Sequence, residues 1–130
     1  MNTKTIVFSL ALLLLWFTSA GAQPETTEPT VHHIVLISLK DGVTDKQIAE
    51  MKTVCEALLN DIPGVIEVSL GKKARDNREV HIKDYDVALH VTWQANAVGD
   101  TYATHILHLS FLKLYKPLFA GIKVIDFYGN

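Results

Sequence analysis

Cysteine is almost missing from this 130-residue chain. Cys55 is the single example, so no disulfide can close within it and stability must come from packing. Positive charge is not in excess either: 12 Lys and Arg stand against 14 Asp and Glu. Without a basic stripe to displace counterions from phosphates, nucleic acid is excluded as a partner. No internal repeat or low-complexity tract is present. The one long apolar run, residues 6–17 broken by Ser9, is shorter than the roughly 20 residues a membrane span needs. With Lys4 before it and Ala20-Gly21-Ala22 after it, it reads as an export signal cut after Ala22. An uncleaved anchor is the alternative. Cleavage would leave 108 residues, with eleven basic against fourteen acidic side chains. That is one modest domain, which a second copy would help to stabilise. The expected place is the periplasm or the exterior, with no membrane attachment once the signal is gone.

What is there is ordered and periodic. Residues 23–30, QPETTEPT, are polar and proline-bearing and read as a tether to a domain over 31–130. Residues 33–39 are apolar on both faces, as in a strand covered from two sides. Asp41-Gly42 turns the chain. Thr44 and Gln47 have the spacing of a capping box, and Ile48, Met51, Val54, Cys55, Leu58, Leu59 and Ile62 continue as a helical stripe. Pro63-Gly64 stops that helix. Residues 65–70 predict a strand with Ile66, Val68 and Leu70 on one face. Residues 72–84 carry charges of both signs and read as a projecting, solvated loop. In 85–93, Tyr85, Val87, Leu89, Val91 and Trp93 alternate with Asp86, Ala88, His90 and Thr92. Residues 98–116 predict a helix in two pieces, bent near Thr104 to Ile106 and ended by Pro117, and 121–128 the last strand.

The order is β-α-β-β-α-β, a ferredoxin-like α+β fold with a four-stranded antiparallel sheet and both helices on one face. The other face would still carry Ile34, Leu36, Ile125 and Phe127. Large exposed apolar patches are rare on soluble monomers, so a homodimer packed sheet against sheet about a two-fold axis is expected.

Chemistry concentrates in Tyr102, His105 and His108, three residues apart and so towards one side of a helix. His108 opens an apolar face with Phe111, Leu112 and Tyr115 and should point at the sheet, where burial would suit its imidazole to general base work. Tyr102 could hold or polarise a carbonyl. His33 shares the face of Val35, Ile37 and Leu39 and can meet His108 in one cavity. His32 and His90 belong to the opposite face, His81 to the loop. Cys55, on the apolar side of its helix, reads as a buried and inert thiol. A three-imidazole metal site from His33, His105 and His108 lacks a nearby carboxylate or cysteine and the His-x-x-x-His spacing of helical zinc pairs. No metal or other cofactor is expected.

With those elements placed, residues 31–128 resemble the stress-responsive A/B barrel (Dabb) domains of the dimeric α+β barrel superfamily. The likeness rests on His33-Ile-Val-Leu, Lys40-Asp41-Gly42-Val43, Ile62-Pro63-Gly64-Val65, Leu70-Gly71-Lys72, Val91-Thr92-Trp93, Tyr102-x-x-His105-x-x-His108 and Val124-Ile125-Asp126-Phe127-Tyr128. It implies sheet-to-sheet dimers. One kind within the family is a polyketide cyclase that closes a poly-β-ketone by aldol condensation, using the Tyr and last His of that segment. Those positions are Tyr102 and His108 here, with His33 as the strand-one pocket histidine. The sequence departs from that kind at Ile106, usually proline, and at Val87, where the cyclase has a further histidine.

Two readings follow. In the first, an exported dimer binds a small, mostly apolar molecule oriented by Tyr102, His108 and His33, with Val87, Leu89, Trp93, Phe111 and Phe119 as the wall. In the second, the domain is a cyclase- or lyase-type enzyme in which His108 abstracts a proton beside a carbonyl and Tyr102 steadies the oxyanion. A structural stress protein with hydrogen-bonded Tyr102 and His108 is the plain alternative.

Overall fold

The computed structural model describes residues 28–95 and 101–129. The export signal, its cut after Ala22 and most of the tether lie outside the described residues. The elements are β1 (Thr30–Leu39), α1 (Asp45–Asn60), β2 (Val65–Lys72), β3 (Val87–Gln94), α2 (Thr101–Thr104), α3 (Ile106–Tyr115) and β4 (Phe119–Gly129), with a one-turn 3-10 helix over Lys116–Leu118. All strand pairs are antiparallel, in the order β2-β3-β1-β4. This is the expected ferredoxin-like α+β arrangement. No described helix is long and apolar enough to cross a membrane.

Local chemistry sets the boundaries. Thr44 caps α1 by accepting from the Gln47 backbone N–H, while the Gln47 side chain accepts from the Thr44 N–H at 2.9 Å. Two otherwise orphaned donors are satisfied reciprocally. Met51, Cys55 and Leu59, one turn apart, bury fully against the sheet. Beyond the helix Gly64 takes φ 88°, a left-handed conformation that other residues adopt only at a cost. The core also takes in Val35 and Ile37 of β1, Val68 and Leu70 of β2, Val87, Leu89, Val91 and Trp93 of β3, and Tyr102 and Phe111.

The elements depart from the sequence reading in places, and β1 begins at Thr30, within the expected tether. A register shift between Val65 and Glu67 makes β2 bulge, so Val65 packs on the core and Ile66 is left 53% exposed. An extra residue in one strand breaks strict alternation. Tyr85 and Asp86 precede β3, because Asp86 serves as a link: its N–H donates to the Ile37 carbonyl at 2.8 Å and its carboxylate accepts from the Leu39 N–H at 2.7 Å. β4 begins at Phe119, opposite Leu39, rather than at Gly121.

Strand register sorts the remaining side chains. Ile34, Leu36, Ile125 and Phe127 share the face away from the helices, and Ile125 and Phe127 are about half exposed. His32 and His90 are on that face too. His32 Nδ1 and His90 Nε2 lie 2.9 Å apart, and the His32 ring also stacks on Phe127.

Candidate functional site

The covered face is not filled everywhere. Between α3 and the β1–β4 half of the sheet lies a cavity of about 390 Å³. His33, Val35 and Ile37 of β1, Leu89 of β3, Tyr102, His108, Phe111 and Leu112 line it, and Lys116, Phe119 and β4 complete the wall. Apolar groups dominate, and the polar ones are few, as in most small-molecule sites.

His108 reaches this wall because the second helical segment is broken. His105 is extended (φ −64°, ψ 139°) and caps α3, its Nδ1 accepting from the Leu107 N–H at 3.3 Å. Leu107 therefore leaves the Ala103 carbonyl to His108, whose Nδ1 donates to it at 3.0 Å. A carbonyl can only accept, so Nδ1 carries the proton and the neutral ring keeps its lone pair on Nε2. Burial lowers the His108 pKa, the Ala103 hydrogen bond opposes this, and neighbouring His33 lowers it further. The ring is thus held as a neutral base.

His33 has a partner the sequence reading did not supply. In the β1–β4 register it lies opposite Asp126, and its Nδ1 donates to Asp126 Oδ1 at 2.6 Å. A carboxylate fixes this imidazole as a carbonyl fixes the other. The only signal for Asp126 was its place in the closing motif, since contact depends on strand pairing.

Tyr102 is 4% exposed, with its ring 4.7 Å from His108, 4.9 Å from Trp93 and 5.7 Å from His33 between centroids. Its hydroxyl is sealed from solvent and has no hydrogen-bond partner among the described residues. Burial above all, and then Cys55, raise its pKa, so the phenol stays protonated and keeps its O–H as a donor.

Of the residues singled out from sequence, the cavity brings together His33, Leu89, Tyr102, His108, Phe111 and Phe119. Trp93 stands behind the wall, stacked on Tyr102. Val87 does not reach the wall: it is fully buried in the core, opposite Ile37 in the sheet, and Ile37 takes the lining position. His105 is spent on the helix cap and does not converge with His33 and His108. Lys116 also lines the cavity; spacing gives no signal for it, because its place depends on the 3-10 turn that closes α3.

A family model for the stress responsive A/B barrel domain, Dabb, matches residues 31–128. This chain is a Dabb protein. It is 26% identical over 98 residues to olivetolic acid cyclase of Cannabis sativa, covering 75% of this chain and 94% of that one. Among solved structures it is similar to a hydroxynitrile lyase from Passiflora edulis (TM-score 0.65, 24% identity, 78% of this chain and 94% of that one). A dimeric ferredoxin-like protein of unknown function from Thermobifida fusca is likewise similar (TM-score 0.62, 22% identity, 78% and 92%). The structural likenesses carry the fold. On that fold this chain places a cavity, two oriented imidazoles and a sealed phenol.

Proposed function

We propose that this Dabb domain binds a small, mostly apolar molecule bearing a carbonyl group in the α3–sheet cavity. One observation carries the reading: a cavity of about 390 Å³, within the roughly 300–1,000 Å³ range of small-molecule pockets, has two imidazoles, each held by a hydrogen bond at Nδ1, on an otherwise greasy wall. A carbonyl compound matches that balance, because its skeleton fills apolar volume and its oxygen accepts from a donor.

The His108 tautomer favours a second reading, turnover. With Nε2 unprotonated, His108 can take a proton from the carbon beside the carbonyl while the C–H electrons move to the carbonyl oxygen. A small rotation of Tyr102 would open its hydroxyl to donate to that oxyanion, and the His33–Asp126 pair would return a proton. The relatives named as cyclase and lyase support chemistry of this kind.

Homodimerisation belongs to the same proposal. It is supported by Ile125 and Phe127 on the uncovered sheet face and by the dimeric Thermobifida relative. Export is proposed from residues 1–22; N-terminal sequencing should begin at Gln23. A clean monomer in sedimentation at micromolar concentration would refute the dimer.

The functional test is 2-undecanone. Calorimetry should show binding, and NMR in deuterium oxide should show enzyme-dependent exchange of its α-protons. His108→Ala should abolish exchange. Binding without exchange leaves a container and removes the enzyme reading; no binding overturns both.

A further inference from the structure

Among the described residues, Lys116 is the only lysine, arginine, aspartate or glutamate on the cavity wall. Five other described lysines are engaged elsewhere: Lys52 with Glu56, Lys72 with Asp45, Lys73 with Asp76, Lys123 with Asp84, and Lys40 on the Pro117 carbonyl. The Lys116 ammonium makes no ion pair or side-chain hydrogen bond among the described residues. It is exposed, in the 3-10 turn that closes α3, and so stands where the cavity meets solvent. A cation there, with no acid to neutralise it, leaves the site half-matched by a neutral ligand.

Position supplies the second half of the argument. Lys116 follows His108 by eight residues along α3 and into the turn that ends it, a rise of about 12 Å. Between them the wall is Phe111, Leu112 and Phe119. The cavity is therefore polar at two ends, with imidazoles at one and an ammonium at the other, and apolar in the middle. A single lysine is a point charge suited to a monoanion; a phosphate dianion calls for several cations or an arginine fork.

We infer that the ligand is a medium-chain oxo acid, its carboxylate paired with Lys116 at the cavity mouth and its carbonyl lying between His108 and His33. Lys116 is then the residue that selects for the acid. This rests on the pocket reading above and narrows its ligand class.

The test uses the full mature protein and three probes: 10-oxoundecanoic acid, its methyl ester and 2-undecanone. Titration calorimetry at low salt should give the acid about three- to tenfold tighter binding than the ester, the range of a partly solvated charge-assisted contact. The ratio should shrink as salt is raised. Lys116→Met, which keeps length and removes charge, should bring it to about one, and Lys116→Arg should restore it. An acid-to-ester ratio near one in the native protein, or a ratio that survives in Lys116→Met, overturns this inference while 2-undecanone binding keeps the pocket reading standing. Failure of 2-undecanone to bind overturns the pocket reading, and this inference with it.

Discussion

Replacing Tyr102 by phenylalanine should make this protein more stable. The ring is held by Trp93 and His108 at 4.9 and 4.7 Å, contacts that phenylalanine preserves. Only the hydroxyl is lost, and it is a buried donor without a partner among the described residues. Such a group costs about 1–3 kcal/mol in desolvation that no hydrogen bond repays. Against this stands the small void left by one oxygen, so a net gain of about 1 kcal/mol is expected. For a domain of this size that raises Tm by about 4–8 °C and moves the urea midpoint upward by roughly 0.5 M. The assay is thermal and urea unfolding of ligand-free protein, side by side with the native chain. The same variant should lose exchange of 2-undecanone, so stability and activity move in opposite directions. A fall in Tm would mean that the hydroxyl has a native partner, and the reasoning about a phenol kept unsatisfied for a ligand would fail.

Other outcomes follow from the same structure. The folded chain holds the His108 pKa below the ordinary 6.5, so the unfolded chain binds the extra proton more readily. Stability should be level above pH 6.5 and fall as pH drops from there through the folded value; urea midpoints across that range should flatten in His108→Gln. The Cys55 thiol, pushed up to about 12 by burial, should ignore Ellman's reagent until urea unfolds the protein; rapid labelling in native buffer would contradict its placement. Thr44→Ala removes half of the capping box and should lower unfolding free energy by about 1 kcal/mol, measured by urea titration.

Much of the architecture was legible because it rests on local rules. The Thr44–Gln47 box, the Met51-Cys55-Leu59 stripe and the break near His105 are written in adjacent residues, and each is found where spacing puts it. The Tyr102–His108 approach was legible for the same reason. What escaped depends on partners far along the chain. The bulge that exposes Ile66 is a property of pairing with β3. Asp126 meets His33 across 93 positions, by register alone. Val87 lies on the covered side, as alternation predicts, but depth within the sheet, which periodicity does not encode, keeps it from the cavity. Trp93 stands one ring too far back for the same reason.

The interruption at His105 has an evolutionary corollary. The acceptor that decides which nitrogen of His108 is basic is the main-chain oxygen of residue 103, which every amino acid possesses. Drift at position 103 therefore cannot abolish the setting, whereas an insertion or a healed kink at 105 would return that oxygen to the helical ladder and release the ring. Selection on the base would show itself as a preserved path of the chain, not as a preserved side chain.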